Sequence, residues 1–445
     1  MKQRLQASMA VGMVLVLSIF TVLGNPAHTY ADTVDIEADS AILVDAESGK
    51  ILYEKNSDLT LPPASMVKMM TEYLVLEAID KGDIEWETTT QISDYPYSIS
   101  ADPSFSGVGL TQSQDYTVRE LYEAMAINSD NATSIALAEL IAGSEGDFVK
   151  MMNDKAEELG MTDYEFVNSS GLENRDLGDN YPEGTEQSDT NLLSARSSAI
   201  LAYHLVNDYP EALEFSSVPT TNFDGQEIRN WNWMLPGMPG QLAQFSYEGL
   251  DGLKTGYTDL AGYCFTATVE RDGQRLISVV MKTGSEEARF AETRKLLDYG
   301  LEQFNQQELF QAGHQVDGHS TLDVSKGKEN SVELETASSI AAPVKNGEED
   351  QYEVNVKLSE DVLDKNGNLQ APFEKGQKVG TAELVYNGEE TYSDLQTGEP
   401  LRTEVDVVTT SGVEKANWFM LSVGAIGDFF SDIFASAVNT VKGWF

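Results

Sequence analysis

The chain has 445 residues, of which 41% are hydrophobic and 9% aromatic. That is more than one core usually organises and is neither collagen-like nor disordered in composition, so two domains with appendages are expected. Its 29 Lys and Arg against 73 Asp and Glu leave a formal charge of −44, which argues against a nucleic-acid partner and fits a solvated acidic surface. A single cysteine, Cys264, allows no intramolecular disulfide or Cys-based metal site, and as one apolar-flanked thiol it reads as a small buried hydrophobe. The histidines are His28, His204, His314 and His319, too few and scattered for zinc or Ser-His-Asp chemistry, so no metal or cofactor is expected.

In chain order, Lys2 and Arg4 precede an apolar run from Ala7 to Gly24, and Pro26 to Ala31 ends on a small residue. Residues 1–31 are therefore expected to be a cleaved signal peptide. An uncleaved anchor is the alternative, because the run reaches the lower limit of a spanning helix. Ala41 to Val44 and Ile51 to Tyr53 read as strands around the turn Glu47-Ser48-Gly49, and Pro62-Pro63 stops extended structure. From Ser65 to Ile79 apolar residues recur at helical spacing and Gly82 closes the run, which sets Ser65 at a helix N-terminus. Further helices are predicted at Val118 to Ile127, Asn131 to Ala142 and Gly146 to Leu159. Gly262 to Glu270 and Arg275 to Lys282 then form a strand hairpin at Asp272-Gly273, and Glu286 to Phe304 returns to helix.

Strands at both ends with helices between predict an α+β domain over 32–312, an antiparallel sheet packed by helices with its first and last segments adjacent. From 313 to 410, short alternating runs such as Tyr352 to Leu358, Val379 to Tyr386 and Thr403 to Val408 predict a small all-β domain.

Three strings carry chemistry: Ser65-Met66-Val67-Lys68, Ser129-Asp130-Asn131 and Lys254-Thr255-Gly256. A spacing of three on a helix puts the Ser65 hydroxyl and the Lys68 amine on one face. A serine hydroxyl needs a base, and an amine serves if burial or a second cation, here Lys254, lowers its pKa. Taken singly, Ser65 could be a helix cap, the second string a turn, and the third a loop before a strand. Their order and context give the set its weight: a helix start, a junction between helices, and a position just ahead of a strand hairpin.

These strings resemble the three active-site motifs of penicillin-recognising serine enzymes. Asp251-Gly252-Leu253-Lys254-Thr255-Gly256-Tyr257-Thr258, followed by Ala261-Gly262-Tyr263-Cys264, resembles the D-alanyl-D-alanine carboxypeptidases, the low-molecular-weight penicillin-binding proteins, and the likeness runs from signal to tail. It implies a penicillin-binding/β-lactamase-like transpeptidase domain, with peptidoglycan stem peptides ending in D-Ala-D-Ala and β-lactams as its partners. By that resemblance Ser65 is the nucleophile, Lys68 its base and Ser129 a proton relay. Asn131 binds the substrate amide, Lys254, Thr255 and Gly256 form the wall that takes the terminal carboxylate, and the N–H groups of Ser65 and Tyr257 form the oxyanion hole. Arg289 stands where the family tends to carry an arginine near that carboxylate.

A class A β-lactamase shares the motifs but requires a glutamate a few tens of residues onward, four before an asparagine. Glu165 lies only three before Asn168, and Asn168-Ser169-Ser170-Gly171-Leu172 instead resembles the carboxypeptidases' Asn-x-x-Gly-Leu segment. A transpeptidase, an endopeptidase or a non-enzymatic wall-binding protein stays open as an alternative. Finally, residues 411–445 place Phe419, Ile426, Phe430, Ile433, Val441 and Trp444 near helical spacing, with Asp428 and Asp432 between them. This predicts an amphipathic helix lying on the membrane, and an exported protein held peripherally at the outer face of the cytoplasmic membrane.

Overall fold

The computed structural model describes residues 34–316 and 318–417. The expected signal peptide and residues 418–445 of the expected membrane helix lie outside the described residues, whereas residues 411–417, expected to open that helix, are not helical: Val413 pairs with Phe373 and is buried in the core of the β domain. Strands β1 (Ser40–Asp45) and β2 (Ile51–Lys55) form the predicted hairpin, its turn closed by Ser48 N donating to Asp45 Oδ1 at 2.9 Å. Of the helices that follow, four frame the site: α1 (Lys68–Asp80), α2 (Val118–Asn128), α3 (Asn131–Ala142) and α4 (Glu145–Glu158). Side-chain caps start three of them. Thr117 and Glu120 form a capping box for α2, Asp130 accepts from Thr133 N for α3, and Ser144 accepts from Asp147 N for α4. Helix α1 is buried all round from Lys68 to Leu76, so the Lys68 amine and the Glu72 carboxyl are taken inside with it.

The chain then returns to the sheet through β3 (Leu250–Thr258), β4 (Gly262–Arg271) and β5 (Gln274–Thr283), and ends the domain with α5 (Glu286–Gln303). Asp272 and Gly273 turn β4 into β5 with φ of 54° and 81°, the positive values a two-residue hairpin requires. The antiparallel order is β2-β1-β5-β4-β3, with Ser40 opposite Met281 and Asp45 opposite Leu276, so the first and last segments of the domain are neighbours. Side chains alternate across the pleat. Ile42, Val44, Ile277 and Val279 join the helical core, whereas Leu43 and Leu276 face α5. Gly300 lets α5 come close, since a Cβ there would stand 2.6 Å from Leu276 Cδ1 and 2.8 Å from Leu43 Cδ2.

Directly after α5 the strand Phe304–Phe310 pairs with Ile340–Lys345, ahead of the change in sequence texture near Gly313. The amide run Asn305-Gln306-Gln307 lacks the alternation that marks a strand, and pairing supplies what pattern does not. Beyond it, a six-stranded sheet surrounds its own core of Leu322, Val332, Leu334, Ile340, Val379 and Val407. The two domains are stitched together through the β1–β2 turn. Ile51 N donates to Ser393 O and Leu395 N to Gly49 O, each at 2.9 Å, and the buried Leu395 side chain joins the core of the first domain. Lys50, 1% exposed, donates to Pro343 O at 2.7 Å and to Tyr352 Oη at 3.0 Å. Among the described residues no helix is long and apolar enough to cross a membrane.

Candidate active site

Ser65 sits in a 3-10 turn, Ala64–Val67, that precedes α1, so the regular helix begins at Lys68 and not at Ser65 as the periodicity predicts. Pro63 occupies the N-cap position without a side-chain bond, and the Ser65 hydroxyl is therefore not spent on capping. Two glycines grip this turn. A Cβ on Gly171, whose φ is 83°, would stand 2.1 Å from Ala64 O, and one on Gly256 would stand 2.3 Å from Pro63 O. Ala64 itself is held at a φ of 49°, a conformation that costs a non-glycine residue and that these contacts enforce.

Lys68 is fully buried one turn on, its Nζ 3.0 Å from Ser65 Oγ and 2.8 Å from Asn131 Oδ1, and it also donates to Ser170 O. The Asn131 and Ser170 oxygens can only accept, so they take two N–H bonds. A neutral amine then has its lone pair left for the Ser65 hydroxyl. Burial, and next the charge of Lys254, hold the Lys68 pKa well below its ordinary value, which favours that neutral form. The Ser170 carbonyl is aimed by Asn168, whose Oδ1 accepts from Gly171 N at 2.8 Å and from Ser170 N at 3.2 Å. Thr71 and Ser134 hold the neighbouring Ser169 carbonyl at 2.9 Å and 2.6 Å.

Ser129 ends α2 in the left-handed region, at a φ of 62°, and the turn sends its side chain into the cleft. Its buried Oγ has no hydrogen-bond partner among the described residues, which leaves it available to a bound molecule. Asp130 next to it faces inward, accepting from Thr133 N and Val108 N at 2.6 Å each, so its role is to hold the junction. Asn131 opens α3, and its Nδ2 donates to Ser106 O at 3.2 Å, which leaves Oδ1 for Lys68.

The third string lies just ahead of the β4–β5 hairpin as expected, with Lys254, Thr255 and Gly256 within β3, the edge strand of the sheet, and not in the loop that the string taken singly allows. Glycine and lysine are poor strand formers, and only pairing with β4, Lys254 opposite Thr266 and Thr255 opposite Phe265, makes the segment extended. Thr255, Gly256 and Tyr257 line a cleft of about 280 Å³ together with Ser65, Ser129, Ser106, Trp231, Tyr263, Glu286 and Arg289. Lys254 is buried beside this wall, and burial lowers its pKa to about 8, with the Glu72 carboxylate opposing the fall. Glu72 lies one turn beyond Lys68, and burial raises its own pKa to about 7.

Arg289, on the first turns of α5, is 2% exposed; its Nη2 donates to Glu286 Oε1 at 3.0 Å and its Nη1 to Gly256 O at 3.4 Å. The structure thus brings all nine predicted site residues to one cleft or its immediate wall. Glu165, the near match to a lactamase glutamate, is exposed and outside the cleft lining. The sequence reading did not single out the Ser170 carbonyl, Ser106, Trp231 or Glu286. A backbone carbonyl leaves no side-chain signal, and only Trp231, 41% exposed at the cleft, is a residue type whose presence between polar neighbours could have drawn notice. Among the described residues no group of three or more His, Cys, Asp or Glu is arranged to hold a metal ion.

Comparison with known proteins gives two family matches, D-alanyl-D-alanine carboxypeptidase over residues 27–285 and penicillin-binding protein 5, C-terminal domain, over residues 304–415. The chain is 32% identical over 388 residues to the D-alanyl-D-alanine carboxypeptidase DacF of Bacillus subtilis (strain 168), covering 87% of this chain and 91% of that protein. Among solved structures it is similar to a peptidoglycan synthesis regulatory factor (PBP3) from Streptococcus pneumoniae, with 36% identity, a TM-score of 0.70, and coverage of 86% of this chain and all (100%) of that one. It is likewise similar to penicillin binding protein 5 from Haemophilus influenzae, with 28% identity, a TM-score of 0.66, and coverage of 87% and 100%.

Proposed function

The chain belongs to the D-alanyl-D-alanine carboxypeptidase family of low-molecular-weight penicillin-binding proteins, and from that membership we propose how its own residues carry out the reaction. It is a serine D-alanyl-D-alanine carboxypeptidase, acting on peptidoglycan stem peptides and binding β-lactams. In our reading Ser65 is the nucleophile. Its Oγ bonds to the carbonyl carbon of the penultimate D-Ala as its proton passes to the neutral Lys68 amine. The N–H groups of Ser65 and Tyr257 take the developing oxyanion. Ser129 gives its proton to the leaving nitrogen and takes one from the Lys68 ammonium, the peptide C–N bond breaks, and free D-Ala departs, leaving an acyl-serine and a neutral Lys68. Water then attacks this ester, giving a proton to Lys68, and the C–O bond to Ser65 breaks as Lys68 returns that proton to Ser65 Oγ.

Asn131 holds the substrate amide, while Lys254, Thr255 and Arg289 receive the terminal carboxylate. The edge position of β3 supports this assignment, because an edge strand can take an extended peptide alongside it. The observation that carries the mechanism is the 3.0 Å separation of Lys68 Nζ and Ser65 Oγ, with both other Lys68 partners being acceptors. The test is Ser65→Ala. It should keep the thermal transition, lose covalent labelling by fluorescent penicillin, and release no D-Ala from a pentapeptide as read by mass spectrometry. Persistent labelling would overturn the nucleophile assignment.

We further propose that the protein is exported by residues 1–31 and held at the outer face of the cytoplasmic membrane by the amphipathic stretch of 411–445. The basic start and apolar run of the first, and the spaced aromatic residues of the second, support this reading.

A further inference from the structure

The cleft already contains a carboxylate. Glu286 lines it with its side chain 30% exposed, and its Oε1 accepts from Arg289 Nη2 at 3.0 Å. Arg289 is otherwise poorly served. Nη1 reaches Gly256 O only at 3.4 Å, and Nε is buried with no hydrogen-bond partner among the described residues. The guanidinium lies near the rings of Phe290 and Tyr263, 4.7 Å and 5.9 Å from their centroids, which fixes its plane without using its donors. A guanidinium fork is built for two parallel bonds to one carboxylate. Glu286 supplies a single bond to the fork, beside the long contact of Nη1 with Gly256 O.

We propose that Glu286 is a specificity-determining residue, an internal carboxylate that occupies Arg289 in the free enzyme and that the terminal carboxylate of the substrate must displace. The proposal rests on the assignment of Arg289 to substrate-carboxylate binding. An anion bonding to Nη1 and Nη2 in parallel gains more than the one bond it breaks, whereas a neutral peptide end gains no such return and leaves Glu286 in place. The released Glu286 stays at the first turn of α5, where the N-terminal end of a helix favours a negative charge, and its partial exposure gives it water. The pair thus filters for peptides that end in a free acid, at the cost of a weaker Michaelis complex for those it accepts.

The experiment compares wild type, Glu286→Gln, Arg289→Gln and the double variant on a peptide ending in D-Ala-D-Ala, with the carboxamide of the same peptide as a competing inhibitor. Glu287→Gln is the control, since Glu287 is exposed, adjacent and outside the cleft lining. Glu286→Gln should lower KM for the acid about three- to tenfold, the scale of one partly exposed ion pair. Its kcat, and the inhibition constant of the carboxamide, should stay as in wild type. Glu287→Gln should leave KM unchanged, and in the double variant the Glu286→Gln effect should vanish. A KM that rises or stays level in Glu286→Gln, while Arg289→Gln raises it, overturns the proposal and leaves Arg289 as the carboxylate site. Equal tightening of acid and carboxamide also overturns it, as simple widening of the cleft. If Arg289→Gln leaves KM unchanged, the carboxylate assignment itself falls and takes the proposal with it.

Discussion

The ammonium of Lys50 lies 3.7 Å from the centre of the Tyr392 ring, so a lysine from the first hairpin of the catalytic domain is caged by aromatic residues of the β domain. Phe304 and Tyr352 complete the cage at 5.7 Å and 5.6 Å, and Pro343 O and Tyr352 Oη accept from the same nitrogen. Lys50→Met removes the charge and leaves a buried carbonyl unmet. This should cost about 2–4 kcal/mol of stability, from the lost cation–π contact and the unpaired acceptor together. Thermal unfolding checks it, with turnover of a soluble peptide at moderate temperature expected to be unchanged, because the cage lies outside the cleft lining.

Gly171→Ala tests the grip on the Ser65 turn. The new Cβ would enter the space of Ala64 O, at 2.1 Å, on a residue whose φ of 83° already disfavours a side chain. The turn must move, and a displacement of about 1 Å at a nucleophile costs on the order of 100-fold in rate. The rate of penicillin acylation should fall by at least that factor, and an acylation rate within about twofold of wild type would show that the turn is held by other contacts.

The pH dependence of kcat/KM should be bell-shaped, with limbs of opposite origin. Lys68 works deprotonated, so activity rises as pH passes upward through its lowered pKa. Lys254 works protonated, so activity falls as pH passes upward through its pKa of about 8. Lys254→Arg keeps the charge at higher pH and should move the alkaline limb upward while weakening the contact itself. Lys68→Arg cannot act as a base and should lose about 100- to 10,000-fold in acylation. An alkaline limb unmoved by Lys254→Arg would assign it to another group.

Deleting the chain after Asn417, which keeps the buried Val413 and Ala416 in the β domain, should free the enzyme from membranes with peptidase activity retained. Each large apolar side chain buried on transfer from water contributes about 1.5–3 kcal/mol, and several offset the ordering of one short helix. Attachment of that kind survives molar salt, unlike attraction between charges. Fractionation decides it: intact protein that washes off in salt, or truncated protein that still sediments with membranes, would rule out the hydrophobic anchor.

Local pattern carried much of this protein. The hairpins at Glu47-Ser48-Gly49 and Asp272-Gly273, the helices from Val118 to Glu158 and the Ser65–Lys68 spacing all follow from periodicity and turn chemistry that neighbouring residues impose on one another. The adjacency of β1 and β5 was legible too, from strands at both ends of an otherwise helical stretch. Tertiary structure decided what no neighbour in sequence can. It drew Lys254-Thr255-Gly256 into a strand by pairing with β4, turned the opening of α1 into a 3-10 turn by the approach of Gly171 and Gly256, and set the Ser170 carbonyl on Lys68. The placement of Glu286 against Arg289 is of both kinds. Three residues apart on one helix, they meet by local geometry, but only the fold turns that meeting into the cleft, where a buried guanidinium with unmet donors gives it consequence.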